Sequence, residues 1–317
     1  SAFFVALAVF FVARASETLH GRPVRTPGAL LALGALGLVL HAHETQPLLA
    51  VFAMLALVVN GLAELPHRPL AGSLKAGVGS ALAFLAGGFS GLLVTAPLLP
   101  LVLLFSRECR TPRASGALLL GLCLAITLAA AWPIALQLTH PELLTLWLRA
   151  EWLRLTGPAI QVREIADLLE LAGWFLWPLW PLALWALWRG RSKLSTLPVM
   201  LPLLSLMLVV LWLAASGDPS QARMSLLIPA SALLAASGVS TLRRGAASAF
   251  DWFALMSLAA FGVLVWLAWT AQAVGWPPGL ARHAARNAPD FVLPDGGFQL
   301  GAGIAISALW ILLVARL

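Results

Sequence analysis

Residues 77–105 read G-V-G-S-A-L-A-F-L-A-G-G-F-S-G-L-L-V-T-A-P-L-L-P-L-V-L-L-F, with no Asp, Glu, Lys or Arg anywhere in the run. An uninterrupted apolar stretch longer than about 20 residues reads as helix crossing a bilayer. The Gly87-Gly88 pair in its middle divides it, so the stretch is expected as two segments forming a broken or re-entrant helix. The rest of the 317 residues is built the same way: 61% are hydrophobic and only 10% charged, and mean hydropathy is +0.92. Soluble domains carry about 25% charged residues. This chain cannot cover a water-facing surface, and its solvent is largely lipid.

Working outward from 77–105, apolar runs separated by short polar punctuation predict an all-α, polytopic transmembrane bundle of about eleven spans. They lie near 1–13, 28–43, 46–63, 76–89, 91–105, 115–138, 172–188, 197–215, 224–240, 251–274 and 298–315. The chain reads as a single transmembrane domain, 1–317. Its first run, Ala2 to Ala13, is short and has no basic residues before it, so it reads as a helix already under way rather than a signal peptide. With the abrupt stop at Leu317, the sequence is expected to be truncated at both ends. Cys109 and Cys123 do not form a disulfide framework.

A formal charge of +7 raises the question of nucleic acid. The cations are scattered singly between apolar runs, so they encode membrane orientation and no nucleic-acid partner is expected. Fourteen of the 20 Lys and Arg, but only four of the 13 acids, fall on alternate loops of one side. That side is predicted cytoplasmic, with Ser1 outside and Leu317 inside. The outer side is the elaborate one: ten of the 14 Trp fall there, as an aromatic belt or lining a site for a lipid-borne substrate. So does segment 139–171, where two helices are expected to lie on the outer membrane face. The first starts at Pro141 and runs to Leu155. The second, Val162 to Leu171, sets Val162, Ile165, Leu168 and Leu169 against Arg163, Glu164, Asp167 and Glu170.

Within 77–105, the order of Gly, Leu-Ala-Phe-Leu, Gly-Gly and Pro resembles a hallmark of the form G-x-x-x-G-L-A-F-L-T-K-G-x-x-G-L-x-L-P. That hallmark belongs to the lipid A aminoarabinose transferase and protein O-mannosyltransferase-like family of GT-C membrane glycosyltransferases. Three further stretches are similar in order and spacing. His41-Ala42-His43-Glu44-Thr45-Gln46-Pro47-Leu48-Leu49 resembles the family's acidic turn. Ala130-Ala131-Trp132-Pro133, then Trp147-Leu148-Arg149-Ala150-Glu151-Trp152-Leu153-Arg154, resemble its P-W-Y turn and the helix after it. Ser216-Gly217-Asp218 with Leu226-Leu227-Ile228-Pro229-Ala230 resembles its S-S-G-K segment. The sequence departs from the family pattern in three places: Gly87 or Gly88 stands where the family has Lys, Gln46 where it has Asp, and Asp218 where it has Lys. The family's main catalytic Asp would lie upstream of Ser1.

The resemblance implies inverting transfer of a sugar from a polyprenyl-phosphate carrier to a lipid or protein acceptor at the outer surface, lipid A being one such acceptor. The setting would be the bacterial inner membrane, with the active side facing the periplasm and membrane lipid all around. A general base would deprotonate the acceptor, and cations or a divalent metal would stabilise the departing phosphate. No cofactor is otherwise implied. Residues on offer are Glu44 and His43 as catalytic acid–base groups, with His41, Arg149, Glu151, Arg154, Asp218 and Arg223 as substrate-binding groups. Each also has a plainer reading: a helix end at His41–Glu44, a local i, i+3 ion pair at Glu151–Arg154, a solvated face at Glu164–Glu170. A diverged or non-catalytic membrane scaffold and a lipid or solute transporter are the alternatives. Transport is disfavoured because no Lys, Arg, Asp or Glu sits well inside a span and no two halves match.

Overall fold

The computed structural model describes residues 1–41, 46–156, 162–216, 221–239, 241–287 and 297–315, and among them every regular element is helical. The chain divides into two compact units, Ser1–Thr241 and Leu242–Leu317. The first holds α1 (Ala2–His20), α2 (Arg25–Leu33), α3 (Leu36–His41), α4 (Pro47–Glu64), α5 (Pro69–Leu93), α6 (Leu98–Phe105), α7 (Pro112–Thr139), α8 (Pro141–Leu155), α9 (Val162–Phe175), α10 (Leu179–Arg189), α11 (Leu197–Ser216) and α12 (Ile228–Val239). The second holds α13 (Arg244–Ala273), α14 (Pro278–Asn287) and α15 (Gly297–Val314).

Proline starts five of these helices, α14 at Pro278 among them. Pro47, Pro69, Pro112 and Pro141 each open a first turn, where a missing N–H costs nothing and the fixed φ is already helical. At α7 the preceding Thr111 adds a cap, its hydroxyl accepting the Ala114 N–H at 3.2 Å. α4 is apolar on every side and is the core of the first unit, with Phe52, Leu55, Val58 and Leu62 fully buried. It packs between α1 and α5, and α5 in turn packs on α7. That second contact is made by small residues. A Cβ on Gly77 would run into the Gly121 carbonyl, and one on Gly121 into the Ser73 carbonyl, so the backbones meet where side chains are absent. Along α7, Ala114, Leu118, Gly121, Ala125 and Ala129 are buried on one face, while Leu119, Leu120 and Ile126 are exposed on another. An apolar face turned outward belongs to lipid.

Among the described residues six helices are long and apolar enough to cross a membrane: Ala2–His20, Pro47–Glu64, Pro69–Leu93, Pro112–Thr139, Leu197–Ser216 and Leu255–Ala273. Ala166–Phe175 and Leu179–Arg189, bent by 97° between them, make a seventh if taken as one broken span. This is a multi-pass membrane protein, although fewer elements meet that length than the eleven runs of the sequence. The difference has local causes. Run 28–43 is two short helices parted at Gly34-Ala35, and run 91–105 is divided between the end of α5 and the eight-residue α6. The expectation for the first run needs correcting. α1 extends to His20, because Arg14 and Glu17 pair one turn apart at 3.2 Å and carry the helix past Ala13. Glu17 also takes Arg25 at 3.4 Å and Arg22 at 3.9 Å, tying the end of α1 to the start of α2.

Candidate functional site

α5 is broken at Gly88, whose φ of 62° and ψ of −146° lie outside the helical region. A side chain is strained at such an angle. Here it would also have no room, because a Cβ on Gly88 would overlap the carboxylate of Glu151. The break turns one backbone donor loose: the Phe89 N–H points away from the helix and donates to Glu151 Oε2 at 3.0 Å. The other carboxylate oxygen, Oε1, accepts from Arg154 Nη1 at 2.7 Å. Glu151 is 1% exposed. A buried carboxylate persists where both oxygens are satisfied and a cation stands against it, and all three conditions hold here.

Glu151 and Arg154 come from α8, which packs on α5, α7 and α11. Aromatic rings clamp the junction: Trp147 of α8 stands edge-on to Trp132 of α7 at 5.0 Å, to Phe84 of α5 at 6.0 Å, and at 5.6 Å from Phe89. Two of the four sequence stretches singled out above, 77–105 and the pair 130–133 with 147–154, therefore meet at one place.

Beside this junction opens a cavity of about 640 Å³ lined by Phe89, Leu148, Arg149, Trp152, Leu153 and Leu155. The lining is apolar except for Arg149, and no described acid pairs with that guanidinium. Arg154, although bound to Glu151, keeps its side chain 64% exposed, and a guanidinium has five N–H donors. A forked cation in the lining of an apolar groove is suited to a molecule with an anionic head and a long hydrocarbon tail.

Arg223 stacks over the Trp212 ring at 5.3 Å, in a 3-10 turn that packs on α3, α4, α9, α11 and α12. His43, Glu44 and Asp218 lie outside the described residues, as does the side chain of His41. Asp167 and Glu170 on α9 are exposed. Among the described residues no group of three or more His, Cys, Asp or Glu is placed to hold a metal ion. Cys109, fully buried beside Ser106, has its thiol pushed up by burial and is poorly suited to nucleophilic work. Sequence reasoning missed the partnership of Gly88, Phe89 and Glu151. Consecutive glycines mark the break, but nothing local says which side chain fills it.

No family model matches the sequence, and no curated protein matches it. Two solved structures share its fold. ArnT from Cupriavidus metallidurans in the apo state superposes with a TM-score of 0.64 at 15% identity, over 86% of this chain and 50% of that one. The same protein bound to undecaprenyl phosphate gives 0.63 at 16% identity, with the same coverage. This chain therefore spans about half the length of the structures it matches.

Proposed function

We propose that this chain, sharing the fold of ArnT, belongs to a membrane glycosyltransferase that moves a sugar from a polyprenyl-phosphate carrier to an acceptor at the outer surface of the bacterial inner membrane. The groove beside the α5 break carries the proposal: an apolar cavity lined by Arg149, which pairs with no acid among the described residues, with the exposed Arg154 further along the same helix. The prenyl tail lies along Leu148, Trp152, Leu153 and Leu155, and the two guanidinium groups take the phosphate. Support comes from the matching fold of a protein whose solved structure contains undecaprenyl phosphate.

In this proposal the acceptor oxygen, deprotonated by Glu44 or His43, attacks the anomeric carbon. The bond from that carbon to the phosphate oxygen breaks with inversion, and the polyprenyl phosphate leaves as an anion. Arg149 and Arg154 favour departure because charge builds on the phosphate oxygens they hold. Glu151 positions: bound by the Phe89 N–H on one side, it sets the direction of the Arg154 fork on the other. His41, Asp218 and Arg223 are assigned to the acceptor side, and lipid A is the acceptor to try first, on the periplasmic face.

Binding of undecaprenyl phosphate to the whole protein in nanodiscs tests the assignment. Arg149→Ala should weaken it by about 2 kcal/mol, near thirty-fold, as expected for hydrogen bonds to a charged group. Arg149→Lys should recover part, since an ammonium lacks the fork. Undecaprenol, which has no phosphate, should bind alike to all three. If Arg149→Ala and Arg154→Ala both keep the unaltered affinity for undecaprenyl phosphate, the proposed phosphate site is wrong.

A further inference from the structure

The second unit has a helix of a different kind. α14, P-G-L-A-R-H-A-A-R-N over 278–287, lies between two apolar helices and packs on α13. Around its axis Arg282 and Arg286, one turn apart, fall about 40° from each other, with His283 at the edge of the same face. Leu280, Ala281 and Ala284 take the opposite half, and of these Ala281 and Ala284 are half-buried. Arg282 Nε donates to the Pro278 carbonyl at 3.2 Å, which leans the side chain along the helix. Both arginines are exposed, and no acid among the described residues pairs with either. On the way into the helix, Val274, Trp276 and Leu280 stand 73%, 61% and 43% exposed.

A short helix joining membrane-embedded segments, with cations on one face and apolar groups on the other, lies in the interface between headgroups and acyl chains. Trp prefers that depth. Two guanidinium groups at i, i+4 reach the same patch of surface and can present parallel N–H pairs to one phosphate.

We propose that α14 is a binding site for an anionic glycerophospholipid. Arg282 and Arg286 clamp the headgroup phosphate, while Trp276 and Leu280 lie along the glycerol and upper acyl carbons. Charge complementarity selects the occupant: two exposed guanidinium groups with no acidic partner among the described residues meet a net negative headgroup, with an apolar edge beside them for its tails. The site is built from the second unit's own residues, and the proposal does not rest on the contents of the Arg149 groove.

The test uses the full chain in a mild detergent, titrated with micelles carrying phosphatidylglycerol or phosphatidylcholine. Phosphatidylglycerol should bind more tightly. Each basic side chain near an anionic lipid surface is worth about five-fold, so R282A/R286A should weaken phosphatidylglycerol binding roughly twenty-five-fold. R282K/R286K should fall in between. R68A/R113A, which removes two exposed charges from the starts of α5 and α7, should change binding little. Equal affinity of the unaltered chain for the two lipids overturns the proposal. So does a loss in R282A/R286A no larger than in R68A/R113A, which means general charge attraction. Full displacement of phosphatidylglycerol by millimolar inorganic phosphate overturns the lipid as occupant, leaving a free-anion site.

Discussion

Gly88 shows how much one missing side chain can decide. Its positive φ is a conformation any other residue adopts at a cost of about 1–3 kcal/mol, and the space a Cβ would need is filled by Glu151. Gly88→Ala should therefore destabilise the protein by roughly 2–4 kcal/mol, the backbone strain adding to a weakened hydrogen bond at Phe89. Gly116→Ala is the matched control. It lies in α7 with nothing within 4 Å of the added atom, so it should be neutral or gain up to about 1 kcal/mol of helix propensity. Thermal unfolding in detergent reads both. The glycine pair itself was legible in the sequence as a break. Its partner was not, because Phe89 and Glu151 are 62 residues apart and the i, i+3 spacing of Glu151 and Arg154 offered a complete local explanation.

At the level of elements, the sequence was readable where local chemistry settles the backbone. Prolines at 47, 69, 112 and 141 mark four helix starts, and the expected Pro141–Leu155 helix has those bounds in the structure. It misled where tertiary partners overrule local signals. Arg14 and Glu17 look like the end of a span, yet they continue α1 by pairing with each other and with the residues that begin α2. The amphipathic α14 went unremarked because its ten residues lie beside long apolar runs that dominate any hydropathy window. Contact between α5 and α7 rests on absent side chains, so it is sensitive to small additions. Gly121→Ala would press a methyl against the Ser73 carbonyl. It should cost about 1–3 kcal/mol as overpacking, measured as a lower unfolding midpoint with α7 helicity retained by circular dichroism.

For the whole molecule, orientation is the property most open to test. α11 runs from Leu197 to Ser216, long enough to cross, with Ser192 just before it and Ser216 at its far end. The basic bias of the sequence predicts Ser192 on the cytoplasmic side and Ser216 outside. Cysteines introduced at those two positions should react with an impermeant maleimide from opposite faces of sealed vesicles, and labelling from the same face would refute the orientation. Background from Cys109 should be low. Burial raises its thiol pKa, so at neutral pH the thiolate fraction falls below that of a free cysteine. The bond between the α5 bend and Glu151 also has a history in time. A ribosome adding 5–20 residues per second takes about 3–12 s to travel from Phe89 to Glu151. Throughout that interval the freed amide of the bend has no Glu151 carboxylate to receive it. That bond comes later, from a helix still being made.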